Sequence, residues 1–107
     1  MNGHHETSEP SREAIRSLKG AVLVEFGTSW CGYCRMAQPL IASALADHPG
    51  VRHIRISDGK GYPMGRSFQV VLWPTLVFLR DGEVVETLVR PHEVWPIRDA
   101  LEKIERV

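Results

Sequence analysis

The chain has 107 residues, 43% of them hydrophobic, and its 13 basic side chains balance 13 acidic ones. That length supports one hydrophobic core without disulfide staples, and not two independent ones. Zero net charge offers no global field to draw in nucleic acid or an anionic membrane surface, so neither is expected as a partner. No apolar run is long enough to span a bilayer, and the first twenty residues lack the apolar centre of a secretory leader. A cytoplasmic, monomeric protein is the expectation.

Residues 1–10 read as a polar tail ending at Pro10, with a single domain over 11–107. Ala14, Ile15 and Leu18 then mark a short amphipathic helix, with Ser11 as its N-cap and Gly20 just past its end. Arg12, Arg16 and Lys19 lie along the other side. A solvated face partnered by Glu9 and Glu13 explains them better than a basic docking patch. Residues 21–26 are apolar apart from Glu25, as in a strand covered on both faces. A loop follows, then a helix over about 34–47 that Pro39 is expected to kink, since proline removes a backbone hydrogen bond. Residues 51–56 alternate as a second strand, and 58–61 form a loop. A short helix covers about 64–68. Two β-rich runs, 70–80 and 83–89, flank Asp81-Gly82, a strong hairpin signal. From 93 to 106, Val94, Ile97, Leu101 and Ile104 share one side of a closing helix. The order is a βαβ unit followed by a ββα unit.

Both cysteines fall in Trp30-Cys31-Gly32-Tyr33-Cys34, at the junction of the first strand and the second helix. A reducing compartment keeps such a pair from serving as a structural staple. A zinc site usually wants four ligands, but there is no second cysteine pair, and none of the five histidines has ligand-like spacing to this one. No metal and no cofactor is expected. Thiol–disulfide exchange, by contrast, needs one exposed thiolate to attack a disulfide and a second thiol to resolve the mixed intermediate. A helix N-terminus favours thiolate over thiol, and i, i+3 spacing puts the second sulfur on the same face. Cys31 is read as the nucleophile and Cys34 as the resolving thiol. A buried structural pair is the weaker reading, since inert cysteines need no helix start.

The chain resembles thioredoxins from Ser11 to Val107. The resemblance rests on the Trp-Cys-Gly-x-Cys core at 30–34, on Trp73-Pro74-Thr75, and on the Asp81-Gly82 hairpin. It implies an α/β thioredoxin fold: a four-stranded mixed sheet flanked by helices, without the N-terminal edge strand usual in the family. It also implies a cis Pro74 opposite the cysteines, leaving the backbone of Trp73 free to pair with an extended substrate. Trp73, Pro74, Thr75 and Arg90 are the expected substrate-binding residues. Trp30 is expected beside the disulfide, and Gly32 lets a partner backbone approach.

Five positions depart from the family pattern. Tyr33 replaces proline and resembles the glutaredoxin motif instead. The position tunes redox potential across the superfamily, and about 30 mV is a tenfold change for a two-electron couple. A plainer reading makes Tyr33 an exposed partner contact. Glu25 stands where thioredoxins carry a buried Asp beneath the resolving cysteine. Desolvation would raise its pKa toward that of a general base; the competing reading is a frayed strand end reaching solvent. Arg55 matches the family lysine beside that Asp, either pairing with Glu25 or lying exposed with Arg52 and His53. Trp73 is either an enlarged apolar rim beside Cys31 or a core aromatic. Arg90 matches a glycine, and a cation there would narrow or re-charge the groove. His48 and His53 read as surface residues, and His92 as a nearby charge.

The expected function is a thiol–disulfide oxidoreductase acting on protein disulfides, with a reductase as its electron donor. The alternatives are a non-catalytic binding module or a redox sensor built on the same fold.

Overall fold

The computed structural model describes residues 11–28, 31–59 and 62–106. The tail expected at 1–10 lies outside them. The elements follow the expected order: α1 (Arg12–Arg16), β1 (Ala21–Gly27), α2 (Gly32–Ala46), β2 (Arg52–Ser57), α3 (Pro63–Ser67), β3 (Thr75–Arg80), β4 (Glu83–Val89) and α4 (Val94–Glu105).

Among the described residues these strands form one four-stranded sheet in the order β2-β1-β3-β4. β1 runs parallel to β2 and antiparallel to β3, and β3 pairs antiparallel with β4. The first crossover, through α2, demands the parallel pair, whereas the Asp81-Gly82 turn permits only the antiparallel one. Both turn residues have positive φ, 51° and 85°, as a two-residue primed hairpin requires. The turn also docks on the α1–β1 connection, where the amide of Gly20 donates to Asp81 Oδ1 at 2.7 Å and the amide of Asp81 donates to the Gly20 carbonyl at 2.9 Å.

Alternation along β1 sorts its side chains to two cores. Ala21 and Leu23 pack with Ala37, Ile41, Phe78, Ile97 and Leu101 beneath α2 and α4. Val22, Val24 and Phe26 pack with Ile15, Ile56, Met64 and Leu79 against α1 and α3. Burying each of these larger apolar side chains contributes roughly 1.5–3 kcal/mol. The same alternation carries Glu25 onto the α2 face, which decides its neighbours.

α1 is capped by Ser11, whose hydroxyl accepts the amide of Ala14 at 3.1 Å. Arg12 is more than part of a solvated face: its guanidinium donates to the Ser67 carbonyl and lies 4.8 Å from the Phe68 ring centroid, tying α1 to α3. His48 is likewise not a free surface residue, since its Nδ1 lies 2.5 Å from Glu105 Oε1 and joins the end of α2 to α4. α2 runs without a break through Pro39. Only residues 75–80 of the β-rich stretch enter the sheet; Val71 and Leu72 are exposed in the loop before it.

Candidate active site

α2 begins two residues earlier than its apolar spacing suggests, because Cys31 is its N-cap. Cys31 is extended (φ −86°, ψ 120°), and its Sγ accepts the amide of Cys34 at 3.2 Å. Ser, Thr, Asp or Asn usually fills this place; here sulfur does. An acceptor there faces unpaired N–H groups and the positive end of the helix dipole, which suits an anionic sulfur.

The cysteines are not bonded to each other. Neither is open to solvent: Cys31 is 8% exposed and Cys34 5%. The expectation of an exposed nucleophile is corrected on this point, because the loop before β3 covers Cys31. Its Sγ lies 3.8 Å from the carbonyl oxygen of Trp73. Burial pushes the Cys34 thiol up to about 11, with the Cys31 sulfur adding to the rise and a Thr28 backbone N–H opposing it. Gly27 makes room for this sulfur, since a Cβ there would stand 2.9 Å from Cys34 Sγ.

Glu25 is 3% exposed and paired inside β1, which removes the frayed-end reading. Its carboxylate is well supplied with donors. Gln38 of α2 donates from Nε2 to Oε2, His53 Nε2 lies 2.8 Å from Oε1, and Arg55 Nε lies 3.6 Å from the same oxygen. His53 is therefore not a plain surface residue. Arg55 does pair with Glu25 while remaining partly exposed, so both readings of it hold in part. Burial pushes the Glu25 carboxyl up, but the hydrogen bonds from His53 and Gln38 and the charges of His53 and Arg55 outweigh it. The pKa lies below its ordinary value, the reverse of the direction expected from desolvation alone. Glu25 is thus ionised at neutral pH. A cavity of about 310 Å³ is lined by both Glu25 and Cys34, with Arg55 and Ser57 at its wall.

The second wall of the site is the loop before β3. The Trp73–Pro74 peptide is cis. Trp73 is half-buried, and its Nε1 donates to Asp58 Oδ2 at 2.8 Å, so the ring is pinned rather than free. Asp58 itself is buried, and among the described residues its Oδ1 has no hydrogen-bond partner. The Thr75 hydroxyl donates inward to the Leu72 carbonyl at 2.6 Å, and the residue is buried. Thr75 therefore closes the loop and presents no side chain to a substrate. Nor is the Trp73 backbone free as expected: its carbonyl accepts Arg90 Nε at 2.8 Å. The amide of Arg90 donates to the Pro74 carbonyl at 2.9 Å, and the Arg90 guanidinium carbon lies 4.0 Å from the Tyr33 ring centroid.

Cys31, Gly32, Tyr33, Cys34, Trp73, Pro74 and Arg90 thus meet at one end of the sheet, with Glu25 and Arg55 beneath. Trp30 lies outside the described residues. Sequence reasoning missed His53, Gln38 and Asp58. Period-two alternation does place His53 on the same face as Arg55, and the β1–β2 register, Glu25 beside Arg55 and Leu23 beside His53, brings both to the carboxylate. No local signal marked Gln38 or Asp58.

The sequence profile of the thioredoxin family matches residues 4–103. The chain belongs to the thioredoxin family. It is 35% identical over 78 residues to the thioredoxin of Listeria monocytogenes, a match spanning 70% of this chain and 76% of that protein. To the thioredoxin of Staphylococcus saprophyticus it is 32% identical over 85 residues, spanning 78% of this chain and 82% of that one. Among solved structures, thioredoxin 2 from Pseudomonas aeruginosa in its reduced form superposes with a TM-score of 0.83 at 47% identity, covering 98% of this chain and 97% of that one. The protein is accordingly a thiol–disulfide oxidoreductase, with its two cysteines in C-x-x-C spacing. Within the thioredoxin frame, Tyr33 and Arg90 are not two separate departures: the side chain of one is stacked on the other.

Proposed function

We propose that Cys31 is the attacking sulfur and Cys34 the resolving one, acting on disulfides in protein substrates. The observation that carries this reading is the asymmetry of the pair. Cys31 Sγ is the acceptor at the start of α2, whereas Cys34 is held as a thiol by burial. The Cys31 thiolate attacks one sulfur of the substrate disulfide, forms a mixed disulfide, and expels the other sulfur as a thiolate. Cys34 then loses its proton and attacks Cys31, closing the Cys31–Cys34 disulfide and releasing the second substrate thiol. The substrate gains two electrons and the chain loses two, so an external dithiol must reduce it again.

Glu25 serves the second half. Ionised and sharing a cavity with Cys34, it is the acceptor for the resolving proton, directly or through a water in that cavity. Its role is that of a weak base poised by position rather than by a raised pKa. His53, Gln38 and Arg55 orient it. Pro74 and Trp73 form the ledge against which a substrate segment lies, and Gly32 keeps that approach open. Protein disulfide substrates, a reductase as electron donor, a monomeric state and a cytoplasmic location complete this reading. Among the described residues no helix is long and apolar enough to cross a membrane.

Trapping tests the assignment. Cys34→Ser should attack once and stall, accumulating a mixed disulfide that mass spectrometry locates on Cys31. Adducts on Cys34 in the reciprocal Cys31→Ser variant, at a comparable rate, would reverse the roles.

A further inference from the structure

Arg90 is in an unusual position for an arginine. Its φ of 51° lies in the left-handed region that favours glycine. It is held there by its backbone N–H donating to the Pro74 carbonyl, by Nε donating to the Trp73 carbonyl, and by the Tyr33 ring under the guanidinium. The carbonyl it covers is the one 3.8 Å from Cys31 Sγ. The contact therefore occupies the main-chain acceptor on the ledge beside the attacking sulfur.

The surroundings are cationic. Arg35 Nη2 reaches to 4.0 Å from where a Cβ on Gly32 would stand, so guanidinium groups flank both residues between the cysteines. Among the described residues, neither Arg35 nor Arg90 has a carboxylate in ion-pair range, a state they share with Arg12, Arg16, Arg52 and Arg66, whereas Arg55, Arg80, Arg98 and Arg106 are paired. Beyond the Arg90–Tyr33 stack lies a small cavity lined also by Met36, Leu40 and His92. A protein of zero net charge thus places two guanidinium groups at the mouth of its redox site, neither with a carboxylate partner among the described residues.

We propose that Arg90 is a latch selecting disulfide substrates that carry a carboxylate next to the attacked cysteine. This rests on Cys31 being the attacking sulfur. A guanidinium bound to a neutral carbonyl through one N–H gives up that contact readily for a carboxylate, which it meets with two parallel, charge-assisted bonds. An acidic residue beside the substrate disulfide draws Arg90 off Trp73, and the Trp73 carbonyl becomes available to the substrate backbone. A neutral or basic substrate offers no such exchange and meets a covered ledge.

The test uses the full-length, pre-reduced protein and three peptides, each with one intramolecular disulfide, differing only in Asp, Asn or Lys beside the cysteine. The reading is the second-order rate constant for oxidation of the protein by each. The wild type should favour Asp over Lys by about tenfold, with Asn between, and 0.5 M NaCl should shrink the ratio. Arg90→Gly accepts the left-handed backbone without strain; it should bring the three rates within about twofold and speed the Asn peptide. Arg90→Lys keeps the charge without the planar fork and should retain only part of the preference. Equal wild-type rates for Asp and Lys, or an undiminished ratio in Arg90→Gly, overturn the latch alone. A wild type that reacts with none of the peptides overturns the latch together with the role of Cys31.

Discussion

Replacing Cys31 by serine is expected to lower disulfide reduction by at least about a hundredfold, and nearer a thousandfold at neutral pH. The nucleophile is the thiolate, and a serine hydroxyl does not ionise in this range. The only fallback is Cys34. A thiol titrating near 11 is ionised at pH 7 to about one part in 10⁴, from the four-unit gap. Losing the Cys31 sulfur relieves part of that elevation, but burial, its largest cause, remains. Cys34 is also 5% exposed and sits one turn inside the helix, so a substrate sulfur reaches it poorly. The check is reduction of insulin disulfides by dithiothreitol with and without the variant. A Cys31→Ser protein retaining a tenth of the wild-type rate would mean that the attacking group has been misassigned.

Gly82→Ala should be the most damaging glycine-to-alanine change for stability among the described residues. Gly82 has φ 85°, where an L side chain is strained by about 1–2 kcal/mol. Its Cβ would also overlap the backbone carbonyl of Arg16. No side chain can turn aside to relieve that contact, so either α1 or the hairpin must shift, at about 1–3 kcal/mol more. The combined loss is about 2–5 kcal/mol, a large part of the 5–15 kcal/mol typical of a small domain. Urea denaturation should show the midpoint falling with an unchanged slope. A loss below 1 kcal/mol would mean that the turn does not bear on α1 as described. Gly20→Ala offers a comparison, because it shares a positive φ of 81° but meets nothing within 4 Å. It should lose only the backbone share.

The features legible in the sequence are those set by short-range rules. β1 was visible as an apolar run with one acid, the Asp81-Gly82 hairpin as a turn that few other dipeptides make, and α4 as a period-3.6 stripe. The cysteine pair at a strand–helix junction named the chemistry. What stayed hidden depends on contacts between distant elements. The start of α2 precedes its apolar stripe because a cysteine sulfur, not one of the usual capping atoms, caps it. His53 passed for a surface charge until the β1–β2 register set it beside Glu25, and with it went the direction of the Glu25 titration. Desolvation alone points upward, whereas the donors that reverse it come from α2 and β2. Arg90 was singled out as a departure from the family, yet its bond to Trp73 and its stack on Tyr33 follow from a left-handed backbone that no local residue pattern announces.

The division of labour between the two sulfurs is the claim on which the rest depends, and alkylation mapped by residue tests it most directly. The reduced protein is pulsed with iodoacetamide from pH 6 to 11, and each cysteine is quantified by peptide mass spectrometry. Label should enter Cys31 in preference to Cys34, and reach Cys34 only as the pH approaches 11. Label entering both cysteines equally at pH 7, or Cys34 first, would contradict the account.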